Sequence, residues 1–195
     1  MTQKNLVWLD LEMTGLDVGK DTILEIATCV TTDNLEFVAQ GPAYVIHQPE
    51  IVLQSMDDWN KNQHAKSGLW EKVLVSFVTM RQAEIQTLAF LKQYCEQHSS
   101  PLCGNSVYQD KAFLKKYMPE LHAFFHYRII DVSSIKEVVR RWYPDNEHTF
   151  FQKTEAHRAL DDVYASIEEL KHYRKYFFVT NKGGESHDKK GTSSS

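Results

Sequence analysis

The segment WLDLEMTGL, residues 8–16, restricts the fold more than any other part of the chain. Val7, Leu9 and Leu11 alternate with Trp8, Asp10 and Glu12. Alternation with a period of two is the signature of a strand, so residues 5–13 are expected to form one. Residues two apart on a strand share a face. Asp10 and Glu12 therefore project together, while Leu9 and Leu11 project to a core. Two adjacent carboxylates repel unless a cation or a proton sits between them; a solvated strand face would also tolerate them. Gly15 signals a sharp turn, which would leave both acids at one end of a sheet.

The rest of the chain supplies the partners of that strand. Residues 22–32 and 36–47 are rich in β-branched and aromatic side chains and read as two more strands. Residues 54–74 read as short helices, and 81–97 as a longer one with Ile85, Leu88, Ala89, Leu91 and Cys95 near helical spacing. Short strands at 102–106 and 128–132 alternate with helices at 109–117 and 134–142, the latter stopped by Pro144. A final helix is expected over 159–176, with Leu160, Val163, Tyr164, Ile167, Leu170 and Tyr173 or Arg174 as its stripe. Three strands followed by helix and strand in alternation imply an α/β sheet, hairpin-built in its first half and joined by crossover helices in its second.

A length of 195 residues suits one such domain. It is expected over residues 1–180, and the tail 181–195, without large apolar residues, is expected to be disordered. A composition with 42% hydrophobic and 25% charged residues is that of a soluble globular protein. No apolar run is long enough to span a bilayer, so no membrane partner is expected, and no signal-peptide pattern opens the chain. Three cysteines without a C-x-x-C pair fit a reducing compartment and a cytoplasmic location. The formal net charge of −4 is not the basic face expected of a duplex binder.

Asp110 follows a short strand and opens a helix; His157, Asp161 and Asp162 lie at the start of the last one. Taken singly, each acid is a first-turn residue favoured by the helix dipole. Taken in order, D-x-E at Asp10 and Glu12, the isolated Asp110, and H-x-x-x-x-D from His157 to Asp162 resemble the DEDD exonucleases. That family implies a ribonuclease H-like fold, a mixed five-stranded sheet with flanking helices. The histidine marks one subtype; the other would carry tyrosine where Arg158 stands. The spacing selects Asp162 over Asp161. WLDLEMTGLD, GNSVYQDKAFL, RIIDVSSIKE and HRALDDVYASIEELKHYR are similar to the oligoribonuclease branch of the family, while the stretch just before His157 diverges.

This resemblance implies a 3′→5′ exoribonuclease acting on short single-stranded RNA, dinucleotides especially, and releasing 5′-mononucleotides. It implies that Asp10, Glu12, Asp110 and Asp162 hold two divalent ions, Mg²⁺ or Mn²⁺, hard cations that prefer oxygen ligands. Such a pair clamps the attacking and leaving oxygens of a phosphodiester. Four carboxylates against two divalent ions also balance in charge, which accounts for an acidic chain acting on a polyanion. His157 would serve as general base. Leu16 and Trp59 would hold the terminal bases, and Ser106, Arg128 and Ser133, with His64, would cap the 5′-phosphate. The family's homodimer implies that Tyr127 and Arg128 reach in from a partner subunit. No Lys/Arg run precedes Lys182, as a short substrate would allow. Two other readings stand beside this one: an exonuclease trimming longer RNA or DNA 3′ ends, and a catalytically silent nucleic-acid-binding domain, which the complete acid set disfavours. His47, His98, His122, His126 and His148 have no metal-site spacing and read as surface or structural residues, and Cys29 reads as core.

Overall fold

The computed structural model describes residues 5–152 and 158–178. Three strands come first, β1 (Leu6–Met13), β2 (Ile23–Thr31) and β3 (Phe37–Val45). Four helices follow, α1 (Glu50–Gln54), α2 (Asp58–Lys66), α3 (Leu69–Val75) and α4 (Met80–Leu91). Then come β4 (Leu102–Gly104), α5 (Val107–Tyr117), α6 (Pro119–Phe124), β5 (Ile129–Asp131), α7 (Val132–Trp142) and α8 (Ala159–Phe177). The strands lie in the order β3-β2-β1-β4-β5. The first three are antiparallel, and β4 and β5 add parallel beside β1. This is the mixed five-stranded sheet with flanking helices that the resemblance implies. The tail 181–195 lies outside the described residues. Among the described residues, no helix is long and apolar enough to cross a membrane.

Both faces of β1 are covered, which decides between the two readings of its alternation. Val7, Leu9 and Leu11 pack with Leu88 and Leu91 of α4, Phe113 and Leu114 of α5, and Leu121 of α6. Leu6 and Trp8 pack on the other side with Val139 of α7 and with Val163, Ile167, Leu170 and Tyr173 of α8. The face carrying Asp10 and Glu12 is therefore not a solvated surface but the floor beneath α8. Every residue of β2 is buried, as a strand covered on both faces requires. Cys29 sits in the second core, as expected.

Several elements depart from their sequence pattern for physical reasons. The helix expected over 81–97 ends at Leu91, where Lys92 caps it by donating to the Leu88 and Phe90 carbonyls. Ile85 and Ala89 are exposed, and the buried face is Ala83, Glu84, Thr87, Leu88 and Leu91. Buried Glu84 explains the rotation, because its carboxylate accepts the backbone N–H groups of Glu120 and Leu121 and so caps α6. Helix α6 itself, opened by Pro119, is absent from the sequence reading. Helix α7 starts at Val132, two residues early, because the Asp131 carboxylate accepts the Ser133 N–H and acts as its N-cap. In α8, Tyr173 rather than Arg174 faces the core; Arg174 is exposed and donates to Asn34.

Trp8 is fully buried, and its Nε1 donates to Thr31 Oγ1 at 2.9 Å. Trp8→Ala is expected to destabilise the fold by about 3–5 kcal/mol, the usual range for emptying a large aromatic site. Urea denaturation would read this as a lower midpoint; an unchanged midpoint would remove Trp8 from the core.

Candidate active site

The β1 register brings Glu12 opposite Glu25 of β2 and Asp10 opposite Ala27. Glu25 is buried at 2% exposure, and a buried carboxylate must be paired or hydrogen-bonded. Arg158 meets this need by a two-pronged contact. Its Nε donates to Glu25 Oε2 at 2.9 Å and its Nη2 donates to Oε1, while the Ala159 N–H adds a third bond to Oε2 at 3.2 Å. Arg158 is the N-cap residue of α8, and the Asp162 N–H closes that helix's first turn on the Arg158 carbonyl. The ion pair thus fastens the start of α8 to β2 directly beside Glu12.

Fastened this way, α8 brings Asp162 to the strand acids. Asp10, Glu12 and Asp162 each offer a carboxylate oxygen within 4.8 Å of the others. Asp161, one residue earlier, is exposed, so the spacing argument for Asp162 agrees with its position. Asp110 stands next to this trio rather than inside it. It lies in the first turn of α5, is 5% exposed, and accepts the Leu11 N–H through Oδ1 at 2.9 Å. That N–H is available because β4 pairs with β1 only at Val7 and Trp8. Beyond them a side chain takes the place of a strand.

The electrostatics follow from this crowding. Burial pushes Glu12 up to about 8, the negative charges of Asp162, Glu25 and Asp110 push in the same direction, and only the Arg158 guanidinium opposes them. Burial also pushes Asp110 up to about 8, against the hydrogen bond from Leu11 and with Asp131 adding repulsion. Glu12 and Asp110 thus resist ionisation beside Asp10 and Asp162, a crowding of acids that a divalent cation relieves, and the all-oxygen donor set suits a hard ion. Asp10, Glu12 and Asp162, with Asp110 alongside, could hold it.

The other sequence-selected residues fall into three places. His64 of α2 is buried beside the acids, with Nε2 2.9 Å from the Met13 carbonyl oxygen and Nδ1 3.9 Å from Glu12 Oε2. Ser106 and Ser133 meet where α5 and α7 begin. The Ser106 N–H donates to Ser133 Oγ at 3.0 Å and to Asp131 Oδ1 at 3.1 Å, and the two hydroxyls are 3.2 Å apart. Leu16, Trp59 and Tyr127 are exposed at 69%, 65% and 71%, and the Arg128 guanidinium lies 5.2 Å from the Tyr127 ring centre. His157 lies outside the described residues. Sequence reasoning assigned no role to Glu25 or Arg158. A lone acid inside the apolar strand ILEIATCV was the signal for the first, since such a residue needs a buried cation.

The chain belongs to the exonuclease family, whose model matches residues 7–170. Within that family its relatives are oligoribonucleases. It is 51% identical over 176 residues to the oligoribonuclease of Acinetobacter baylyi, covering 90% of this chain and 96% of that one. It is 54% identical over 173 residues to that of Halorhodospira halophila, covering 89% and 94%. Among solved structures it is similar to exonuclease I from Methylocaldum szegediense, with a TM-score of 0.68 at 14% identity, covering 89% of this chain and 41% of that chain. It is likewise similar to E. coli exonuclease I in complex with a 5cy-dA13 oligonucleotide, with a TM-score of 0.66 at 12% identity and coverages of 89% and 41%. The chain spans about two fifths of the length of these two structures, and at such identities the likeness is one of fold.

The raised Glu12 and Asp110 set a pH dependence. A carboxyl whose pKa is higher in the folded state contributes stability below its unfolded value and loses it as pH rises through the folded value. Without divalent ions, stability is therefore expected to fall from about pH 4 to about pH 8. Mg²⁺ or Mn²⁺ should flatten that fall and release protons on binding. Denaturation in chelator and in Mg²⁺ across this range checks it; parallel pH profiles would contradict a cation at these acids.

Proposed function

We propose that this protein is a metal-dependent 3′→5′ exoribonuclease that degrades short oligoribonucleotides, dinucleotides especially, to 5′-mononucleotides. The observation that carries this reading is the meeting of Asp10, Glu12 and Asp162 within 4.8 Å, in a chain of the exonuclease family that is 51% identical to an oligoribonuclease. Asp10, Glu12 and Asp162, with Asp110, would hold two divalent ions, Mg²⁺ or Mn²⁺. When bound, these supply positive charge to the phosphate oxygens and ease proton loss from water.

His157 acts as the general base. An ordinary imidazole is largely neutral at neutral pH and can accept the proton of the attacking water. In sequence His157 directly precedes Arg158 and stands five residues before Asp162, as in the histidine subtype that the chain resembles. The water oxygen attacks the phosphorus of the last phosphodiester in line, and the bond from that phosphorus to the 3′ oxygen breaks, the 3′ oxygen taking up a proton from solvent. A 5′-mononucleotide leaves, and the shortened strand keeps a 3′-hydroxyl. The catalytic domain is taken as residues 1–180.

Leu16 and Trp59 hold the bases. Their exposure supports this, since an aromatic platform stacks on any base. Ser106, Ser133 and Arg128 receive the 5′-phosphate of the dinucleotide, an arginine fork being suited to phosphate, and His64 borders the substrate from beside Glu12. Arg128 and Tyr127 are both exposed, which supports their reaching across a homodimer. Three free cysteines fit the reducing cytoplasm as its location.

A length series of 5′-phosphorylated RNAs, beginning at the dinucleotide and run with and without Mg²⁺ or Mn²⁺, tests this. The dinucleotide should be cut fastest, only with metal, and Asp10→Ala should lower kcat by roughly 10³-fold or more. Equal rates on long strands would favour an enzyme that trims RNA or DNA ends, and no cleavage at all would favour a binding domain. His157→Ala should lower kcat by about 10²–10⁴-fold, with metal binding measured by calorimetry retained; a mutant with wild-type turnover would remove the base.

A further inference from the structure

We propose that Asn105 is a positioning residue for recognition of the 5′-phosphate, holding the Ser106–Ser133 pair in register with the turn of α8 that carries Asp162. This rests on the reading of those serines as phosphate contacts given under the proposed function.

Asn105 lies between β4 and α5 and is half-buried. Its amide faces two ways. The Nδ2 group donates to Ser166 Oγ at 2.7 Å and to Glu169 Oε2 at 3.1 Å, both on α8. Its Oδ1 accepts the Ser133 hydroxyl at 3.1 Å. Buried Glu169 sets this orientation, since the reverse one would aim the amide oxygen at a carboxylate. Glu169 is in turn held by Lys136 of α7 at 2.9 Å and by the Tyr173 hydroxyl at 3.1 Å.

The chain of bonds runs on in both directions. Ser166 Oγ donates to the Asp162 carbonyl at 2.8 Å. At the other end, Ser133 has one hydroxyl proton, and Asn105 Oδ1 takes it. Ser133 Oγ therefore serves as an acceptor for the Ser106 N–H and hydroxyl. The Ser106 and Ser133 N–H groups also donate to Asp131. With these amides occupied, a phosphate arriving here must draw on the hydroxyls and on Arg128. Of the hydroxyls, Ser106 can swing outward to donate without disturbing the bond from its own N–H. Asn105 thus fixes Ser133, Ser133 presents Ser106, and the same amide ties both to α8. The distance between phosphate end and carboxylates becomes a property of this strut, which suits a site that selects for length.

The test is the ratio of kcat/KM for a 5′-phosphorylated dinucleotide to that for its 5′-hydroxyl counterpart, in wild type, Asn105→Ala and Ser166→Ala, each with its thermal melt. The ratio should exceed one in wild type and fall about tenfold in Asn105→Ala, the scale of losing oriented hydrogen bonds to the substrate. It should fall about threefold in Ser166→Ala, where Glu169 still holds the amide. A merely structural role would lower both rates by one factor and leave the ratio in place. If wild type shows no preference for the phosphate, the phosphate-end reading itself fails. If wild type shows it and Asn105→Ala keeps it, only the role of Asn105 is overturned. Should Asn105→Ala not fold, an undiminished ratio in folded Ser166→Ala overturns it equally.

Discussion

The arrangement of this molecule depends on one buried ion pair, Glu25 with Arg158. Its partners are 133 positions apart, one inside a wholly buried strand and the other at the cap of the last described helix. An acid in that strand is tolerated only because the guanidinium matches both of its oxygens and the Ala159 N–H fills a remaining lone pair. The helix gains as well, because Ala159 carries one of the orphan amides of its first turn. Breaking such a pair by removing one partner typically costs about 3–5 kcal/mol. The pair also tempers the site, since Arg158 is the cation that lowers the Glu12 pKa against its acidic neighbours.

Around that anchor, the acids are delivered by two kinds of support. Asp10 and Glu12 stand on a strand gripped from both faces by the two cores. Asp110 and Asp162 lie in the first turns of α5 and α8, where the helix dipole favours a negative charge. The dipoles offset part of the repulsion that gathering these groups creates. The brevity of β4 is equally necessary: a longer strand would have taken the Leu11 N–H and excluded Asp110 from its place.

Much of this was legible in the chain because it is local. Period-two alternation located β1, and the motif of the DEDD exonucleases pointed to Asp162, which lies with Asp10 and Glu12. The helix and strand order gave the sheet class, since crossover helices and short parallel strands leave a regular pattern. What escaped depends on contacts between distant residues. The rotation of α4 that buries Glu84 follows from the capping of α6, a helix that no periodicity announced. Asn105 looks like an ordinary loop residue until Ser133, Ser166 and Glu169 are seen around it. Arg158 stood in view within HRALDD, but its meaning required knowing that the acid in the interior of β2 has Arg158 as its counter-charge.

The position of α8 in the chain has a consequence for how the molecule comes into being. Synthesis proceeds from the N-terminus, and domains tend to fold as units. Until Arg158 and the helix behind it have left the ribosome, Glu25 has no counter-charge, Trp8 has no cover from Val163 and Tyr173, and Asp162 cannot meet Asp10 and Glu12. A nascent chain carrying Asp10 and Glu12 alone is an incomplete sheet with exposed apolar surface. The cluster of Asp10, Glu12 and Asp162 is completed by the same late event that closes the second core. A product interrupted before α8 lacks both the partner of Glu25 and the third carboxylate of the cluster.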